Sequence, residues 1–481
     1  MSLKSAAVSG AKWTTASSIA ITLLQFLQVA ILARLLSPSD FGLMGMIMVV
    51  LGFAQTYMDM GISNAIIHRQ DTTRNQLSSL YWLNIFASVV IFAIILLISP
   101  LIVGFFREPK IASLLPWSAL IFLITPIGQQ FQILLQKELS FRVLTVIEVS
   151  SGVIGCVTAV SFALGGAGVF SLIAGQLANT AGRSFMLAAI GLKRWRPRLH
   201  FRTGDLQGYL KFGIYQMGDN SVNYLNSNLD KLLIGSLLGA QSLGYYSIAW
   251  NLAIQPVLRI NPIVTRVAFP VFAKVQNNID VLRKGYLNVL KVLSVINFPL
   301  LLGMAAIAPV LIPVVFGQKW LPAVGLLQIL ALVSLLRSIG NPVGSLLLAK
   351  GRPDLGFKWN LVLAVTQASG ILIGVWIGAM KGVVIALFVL NICYLYPEYY
   401  ILVWPLINCN FKEYLSSMAF AFSTSTVMTA LILLLPFLLE IEAKAMLIGQ
   451  IIIGALIYSS LTFLFNRSYL YEMKTTFFAK A

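Results

Sequence analysis

Polar side chains recur at three- and four-residue steps along one otherwise apolar segment of the chain. A helix brings residues at those steps onto one face, so the segment predicts a helix with a single polar stripe. Because a row of polar groups is hard to satisfy inside a dry interface, we expect the stripe to line a water-filled cavity. A hydrogen-bonded seam between helices is the alternative. The stripe consists of Gln216, Asp219, Asn220, Asn223, Asn226 and Asp230.

Amide side chains with the same helical spacing occur in other apolar segments. An amide both donates and accepts hydrogen bonds, so these residues extend the polar lining that we expect for the cavity. These amides are Gln25 and Gln28 in the first segment, Asn251 and Gln255 in a later one, and Asn341 beside Pro342 further on.

Two arginines accompany those amides deep in apolar sequence. Arg259 follows Gln255 by one helical turn, and Arg337 precedes Asn341 by one turn. An unpaired charge at membrane depth is costly, so we place both side chains at the predicted cavity. A structural ion pair with an intramembrane acid is the alternative for each arginine.

The elements that must position these groups follow from composition. Of 481 residues, 58% are hydrophobic and only 10% charged, whereas soluble domains carry roughly 25% charged residues. This excludes a soluble enzyme and predicts an all-α polytopic membrane protein. Fourteen candidate helices lie near residues 14–36, 42–66, 76–104, 112–135, 143–164, 167–191, 208–237, 243–270, 286–314, 322–347, 356–379, 383–406, 414–437 and 445–466.

The basic residues fall on one side of that predicted topology. The chain has 34 Lys and Arg against 16 Asp and Glu, a net charge of +18. If the N-terminus is inside, twenty-two basic residues lie in cytoplasmic segments and five in outer loops. Cytoplasmic loops are enriched in Lys and Arg, so we expect both termini to be cytoplasmic and attribute the charge to topology and membrane lipids, without nucleic acid.

The two halves of the chain resemble each other at an offset of 202 residues. The segment 31–42 aligns with 233–244, and both read as a helix end, a tight turn and a new helix. The pattern predicts two six-helix lobes related as parallel repeats, with a cavity between them. The expected boundaries are 1–192 for the first lobe, 193–207 for a basic linker, 208–406 for the second lobe, and 407–481 for two extra helices and a tail.

Intramembrane acids are the candidates for coupling transport to an ion. Asp219 and Asp230 lie on the polar stripe, where water would reach them, and protonation of a carboxylate there would bias two conformations. Asp59 is the approximate repeat counterpart of Arg259, so a pair between them is a second arrangement to consider. Counter-ions for nearby cations are the alternative role of these acids.

Sequence patterns of enzymes do not occur in the chain. Its three cysteines and two histidines lack metal-ligand or disulfide spacing, and no nucleophile elbow or phosphate-binding loop is present. We therefore expect a non-enzymatic protein with no cofactor and no metal.

Several strings resemble the polysaccharide flippases of the multidrug/oligosaccharidyl-lipid/polysaccharide exporter superfamily, and most closely its colanic acid exporter group. One lies at the start of the first lobe and three lie in the second, and together the resemblance runs over nearly the whole chain. The strings are Ser9-Gly10-Ala11-Lys12-Trp13, Asn223-Tyr224-Leu225-Asn226, Asn261 through Lys274, and Leu335 through Ser345.

The resemblance implies a V-shaped, two-lobed transporter of the bacterial inner membrane. It would move a glycan linked to undecaprenyl diphosphate to the outer leaflet by alternating access, beside a polysaccharide polymerase and chain-length machinery. The Asn and Gln side chains named above would then bind the sugars. The diphosphate would be bound by Arg259 and Arg337 first, with Arg34, Arg266 and Lys291 next.

Two alternatives remain open. A cation-coupled multidrug extruder of the same superfamily would bind cationic drugs through acids in an apolar pocket, whereas this chain has seven basic against five acidic intramembrane residues. A membrane glycosyltransferase or scaffold without transport activity is the third possibility.

Overall fold

The computed structural model describes residues 3–58, 63, 66, 72–206 and 210–465, without the side chains of 3–12, 14–16, 19, 210–216 and 219. Within those ranges the chain is helical and contains no strand, which confirms the predicted all-α class. The apolar surface is what a lipid environment requires: Trp376 is 88% exposed and Phe437 is 87% exposed.

The helices are numbered here in chain order. In the first half they are α1 (Leu3–Leu35), α2 (Pro38–Met58), α3 (Arg74–Phe106), α4 (Lys110–Ala119), α5 (Ile121–Lys137), α6 (Phe141–Leu164) and α7 (Phe170–Gly191). In the second half they are α8 (Leu210–Lys274), α9 (Ile279–Val315), α10 (Ala323–Gly340), α11 (Val343–Ala349), α12 (Pro353–Glu398), α13 (Trp404–Ile407), α14 (Phe411–Leu438) and α15 (Ala443–Phe465). A π-helical turn, Tyr399–Val403, joins α12 to α13.

Two long helices each cover two of the predicted ones. Gly239 interrupts α8 with φ 79°, and Gly378 with Ala379 interrupts α12, where Ala379 has φ 47°. The break at Gly239 falls at the predicted turn, and the break at Gly378 and Ala379 falls at the last two residues of the predicted helix 356–379. Pro262, by contrast, does not end a helix, because α8 continues to Lys274.

Ten helical segments in the described ranges are long and apolar enough to cross a membrane. Although α8 and α12 are bent, each is counted as one of these ten segments. Helix α7 is not among the ten, and α1 is represented only by a shorter apolar stretch, Ala20–Leu35, which is not counted. The chain is therefore a multi-pass membrane protein. The count of fourteen spans stays a prediction.

The chain divides into two compact units, residues 1–244 and 245–481. The first half of α8, which holds the polar stripe, thus packs with the helices that precede it. The lobe boundary at residue 208 stays a prediction, since compactness of the backbone does not define a repeat.

Two glycine contacts inside the first unit repeat the 202-residue offset of the sequence. A Cβ atom on Gly42 would lie 1.6 Å from the carbonyl oxygen of Ala240, and one on Gly244 would lie 1.9 Å from that of Pro38. Residues 38 and 240, like 42 and 244, are equivalent in the repeat. The helix starts that follow the two equivalent turns therefore cross each other at backbone contact, which only glycine permits.

The basic linker is packed against the start of α3. Trp195 is 8% exposed and lies with Tyr81 and Phe131 in one hydrophobic cluster. The indole Nε1 of Trp82 donates to the carbonyl of Arg198 at 2.8 Å. Its arginines are exposed, and Arg194 pairs with Glu138, while the linker backbone is held by the helix ends that it covers.

Candidate functional site

The polar stripe on the first half of α8 is exposed at one end and buried at the other. Asn220 and Asn223 are exposed, and Asn226 is half-buried. Asp230 is 8% exposed, and its Oδ1 accepts a hydrogen bond of 2.8 Å from the backbone N–H of Lys231. Asp230 thus departs from the water-exposed face that the spacing predicted, because the helix is covered there by its neighbours.

The opposite face of this helix packs on α2. Ser221 Oγ lies 2.9 Å from the hydroxyl of Tyr57, and the hydroxyl of Tyr224 donates to the carbonyl of Met48 at 3.3 Å. A Cβ atom on Gly52 would lie 2.1 Å from the Tyr224 hydroxyl oxygen, so that glycine makes the space for the ring. This packing orients Asn220 and Asn223 away from α2.

Only some of the polar residues of α1 are exposed enough to contact a ligand. Gln25 is exposed and Gln28 is half-buried. Thr22 is used by the helix itself, since its hydroxyl donates to the carbonyl of Ser18 at 2.6 Å. Arg34 is exposed in the last turn of α1.

Three predicted site residues lie outside what the structure describes. Asp59 is among the residues without a described position, and the side chains of Gln216 and Asp219 are likewise not described. The pairing of Asp59 with Arg259 and the role of Asp219 stay predictions.

The second half of α8 carries the predicted polar face of the second unit. Asn251 and Arg259 are exposed, Gln255 is half-buried and Arg266 is exposed. Their four-residue spacing survives because the helix runs unbroken from Gly239 to Lys274.

Arg337, near the end of α10, is half-buried and lies over an aromatic ring. Its guanidinium carbon is 4.9 Å from the centroid of the Trp250 ring, a cation–π contact. Trp250 is 7% exposed and stacks on Tyr246 with 6.2 Å between the ring centroids. None of the salt bridges in the described ranges involves Arg337. The guanidinium is therefore held over the ring, and no described salt bridge uses its N–H donors.

A buried amide network holds the helix that carries Arg337. Asn261 on α8 donates to the carbonyl of Ser338 at 3.0 Å, and Asn297 on α9 donates to Asn261 Oδ1 at 2.9 Å. Both asparagines are 0% exposed. Two of the sequence strings that resemble the exporter superfamily, around Asn261 and around Arg337, thus meet at one point. Because the network fixes the residue after Arg337, it positions that arginine.

The remaining predicted cation and amide of the second unit flank this arrangement. Lys291 is half-buried on α9. Asn341 is exposed directly after α10, where the helix ends before Pro342. The predicted cavity residues of this unit therefore occur on α8, α9 and the end of α10.

Sequence patterns did not identify an intramembrane ion pair in the first unit. Arg183 Nη2 on α7 lies 3.2 Å from Glu148 Oε1 on α6, and the hydroxyl of Ser17 on α1 donates to Glu148 Oε2 at 3.2 Å. The only sequence signal was a charge of each sign in apolar segments. Three helices are thus joined through one carboxylate.

No group of three or more His, Cys, Asp or Glu side chains that could hold a metal ion occurs in the part of the chain that the structure describes. The donors at the site are amides and guanidinium groups, which suit sugars and phosphates.

Comparison with known proteins gives the class first. The fold matches that of a solved structure of the lipid II flippase MurJ in an inward closed conformation, with a TM-score of 0.76 and 14% identity over 95% of this chain and 99% of that one. The chain therefore has a transporter fold of the MurJ type.

The family follows from sequence. The family model described as polysaccharide biosynthesis protein matches residues 31–325. The lipopolysaccharide biosynthesis protein WzxC of Escherichia coli (strain K12) is 37% identical over 88% of this chain and 86% of its own length. The teichuronic acid biosynthesis protein TuaB of Bacillus subtilis (strain 168) is 39% identical over 78% and 80%. The chain belongs to this family of polysaccharide biosynthesis proteins, which confirms the resemblance seen in the sequence.

Proposed function

We propose that this chain is a flippase that moves an undecaprenyl-diphosphate-linked oligosaccharide across the bacterial inner membrane by alternating access. Family membership, relatives named for polysaccharide biosynthesis and the flippase fold support transport of a lipid-linked glycan. The glycan would serve capsule, exopolysaccharide or O-antigen synthesis. The transported molecule would leave chemically unchanged, so no catalytic residue is assigned.

The observation that carries the proposal is the position of Arg337. Its guanidinium is placed over Trp250, and the helix behind it is fixed by the amide network, so little order has to be gained when a ligand binds. A phosphate that leaves water needs replacement charge and donors in a fixed arrangement, and a guanidinium provides both. Arg337 would bind the diphosphate, with Arg259 as the second ligand and Arg34, Arg266 and Lys291 as further cations.

The sugars would be bound by amides. Asn220, Asn223, Gln25, Asn251 and Asn341 are exposed, and an amide can both donate to and accept from a sugar hydroxyl group. Gln28, Gln216, Asn226 and Gln255 complete the proposed set. The lipid tail would remain in the bilayer while the polar head group passes.

The orientation and partners are part of the proposal. Both termini and the linker 193–207 would be cytoplasmic, from the asymmetry of Lys and Arg in the loops. An impermeant thiol reagent should then fail to label Arg198→Cys in intact spheroplasts and label it after permeabilisation. A polymerase and chain-length machinery would receive the exported glycan. Asp219, Asp230 and Asp59 stay candidates for ion coupling.

The alternative function is a cation-coupled multidrug extruder. Such a protein would need acids in its binding site, whereas the predicted binding residues of the second unit are all cations and amides. A strain that lacks the gene should become sensitive to cationic drugs if the alternative is correct.

The decisive experiment is deletion of the chromosomal copy in the host bacterium. We expect a lipid-linked glycan to accumulate on the cytoplasmic leaflet, and the wild-type chain to clear it. Arg337→Ala should fail to clear it at normal membrane abundance, and Arg337→Lys should clear it in part because charge returns without the paired donors. Arg196→Ala, in the exposed linker, is the matched control. Clearance by Arg337→Ala at the wild-type rate would contradict the proposed role.

A further inference from the structure

An acidic residue that the proposed transport cycle does not yet use lies in the second unit. Glu398 is the last residue of α12, follows Pro397, and directly precedes the π-helical turn Tyr399–Val403. The segment belongs to a candidate membrane span, Pro353–Ile407. Turns of π-helix inside longer helices are frequent at functional sites, because they reposition the adjoining side chains.

The carboxyl group of Glu398 is pressed against the end of α10. A Cβ atom on Gly340 would lie 2.6 Å from Oε1 and 3.2 Å from Oε2 of Glu398. A side chain at position 340 would displace the carboxyl group, so the glycine allows the carboxyl group to lie directly against α10. Because Gly340 follows Arg337 by three residues, the same helix end contacts Glu398 and carries the proposed phosphate ligand.

Polar surroundings that would stabilise a negative charge are lacking at this position. In the described ranges Glu398 accepts no hydrogen bond and forms no salt bridge. Its titratable neighbours are Tyr286 of α9 and Tyr414 of α14, which are both buried. Cys409, also buried, lies close to the two tyrosines. The Tyr286 hydroxyl is itself buried without a hydrogen-bond partner in the described part of the molecule.

A carboxylate without counter-charge is costly inside a membrane protein, whereas a neutral carboxylic acid is tolerated. The packing of Glu398 on Gly340 therefore fits the protonated side chain. Ionisation would favour separation of α10 from this site, since separation would admit water to the charge. Proton binding and the position of Arg337 are consequently linked, and the linkage is reciprocal.

We propose that Glu398 is the proton-binding residue that couples a proton gradient to the movement of α10 and of Arg337. Its carboxylate takes one proton from water on one side of the membrane, and its carboxylic acid returns that proton to water on the other side. This inference rests on the proposed flippase function and names its driving ion. It differs from the candidates Asp219 and Asp230, of which Asp230 accepts a backbone hydrogen bond.

The test is a distance measurement within the second unit. Spin labels at Gly344→Cys on α11 and Leu415→Cys on α14 occupy exposed positions, in a chain whose three cysteines are replaced. Purified protein in lipid nanodiscs is measured by double electron–electron resonance from mildly acidic to mildly alkaline pH. We expect the ratio of two distance populations to change by about fivefold or more, the lower end of ordinary coupling between sites.

Variants assign that change to one side chain. Glu398→Gln should hold the acidic distance at every pH, because the amide mimics the protonated acid. Glu398→Asp should keep a pH-dependent change and so shows that the site survives substitution. Glu413→Gln, on an exposed acid of α14 close to the same region, should behave as the wild-type chain.

Three results would overturn the proposal. They are a wild-type distance that does not depend on pH, an unchanged pH response in Glu398→Gln, and a response to sodium at constant pH in place of the response to protons. None of these measurements needs a glycan. If the wild-type chain fails to clear the accumulated glycan in cells, the flippase function falls while the distance result stands. If it clears the glycan and Glu398→Gln does so with the same dependence on the proton gradient, only the role of Glu398 falls.

Discussion

The two compact units treat intramembrane arginine and glutamate in opposite ways. In the first unit Arg183 and Glu148 neutralise each other at 3.2 Å, with the Ser17 hydroxyl on the second carboxylate oxygen. In the second unit Arg337 lies over the Trp250 ring and Glu398 lies against Gly340, each without an opposite charge in a described salt bridge. An ion pair satisfies its own charges and joins helices. A guanidinium over an aromatic ring, or a carboxyl group against a glycine, can instead interact with a ligand or a proton.

Water access limits how much the ion pair contributes. The side chains of Arg183 and Glu148 are 39% and 33% exposed, so solvent screens their attraction. The pair therefore links α1, α6 and α7. Its contribution to stability comes mainly from avoiding an unpaired charge. In the second unit, helices are linked by uncharged groups, namely the asparagine network around Ser338.

The largest expected effect comes from removing one member of the ion pair. Arg183→Ala leaves Glu148 without its cation, and we expect a loss of about 2 kcal/mol of stability, below the 3–5 kcal/mol of fully buried pairs because of the exposure. Thermal unfolding in detergent measures it. Adding Glu148→Gln should restore most of the loss. If Arg183→Ala instead blocks export with no loss of stability, the contrast between the units is wrong.

The next effect concerns the asparagine network. Asn261→Leu leaves the Asn297 amide and the Ser338 carbonyl without their partner, which should cost about 1.5 kcal/mol. Export should fall as well, since the helix that carries Arg337 is loosened. Ser416→Ala, at an exposed hydroxyl on α14, is a control that should change neither quantity. Unchanged export at reduced stability would separate the network from the positioning of Arg337.

A smaller effect is expected at the ring beneath Arg337. Trp250→Leu removes the cation–π contact, worth about 1 kcal/mol for a half-buried cation, and should weaken glycan-lipid binding while Arg337 is still present. Trp250→Phe should have an intermediate effect because a smaller ring keeps part of the interaction. Binding of a labelled lipid diphosphate to purified protein distinguishes the three proteins. Equal binding by all of them would show that the ring does not orient Arg337.

The smallest expected effect comes from a substitution in the linker, where neighbouring polar groups stabilise the carboxylate of Asp205. Asp205 Oδ2 accepts from the Ser79 hydroxyl at 2.7 Å and lies 3.0 Å from His200 Nε2. The Ser79 hydrogen bond, with His200 and Arg202 nearby, lowers the pKa of Asp205 below its ordinary value of 3.8.

The sign of the pH effect follows from that lowered pKa. The contribution of Asp205 to linker docking is complete above the ordinary carboxyl pKa and is lost as pH falls through the lowered one. At neutral pH, Asp205→Asn should therefore speed tryptic cleavage at the linker arginines about twofold to fivefold, in line with one weak surface hydrogen bond. Arg202→Gln, which removes a more distant charge, should change the rate less. Equal cleavage of the wild type and Asp205→Asn would mean that the aromatic cluster around Trp195 alone docks the linker.

Much of the molecule was determined by local sequence. Apolar runs of membrane-spanning length predicted helices that the structure contains, and the 202-residue repeat predicted the equivalent turns at Ser37 and Gly239. Helix periodicity also placed Arg337 and the exposed amides, because the face on which a residue lies depends only on its spacing from its neighbours. The family was readable from strings for the same reason, since they occupy continuous sequence.

The partners of the charged and buried polar groups were decided by tertiary structure alone. Asn261 meets a carbonyl 77 residues away, and Arg183 meets an acid 35 residues away. Asp230 is buried although its spacing placed it on the exposed stripe, and Glu398 is distinguished by a glycine on another helix. Spacing along a helix fixes direction but not what lies opposite. Whether an intramembrane charge is neutralised, stacked or left to bind depends on which remote helix packs against it, and one missing Cβ atom is enough to change the outcome.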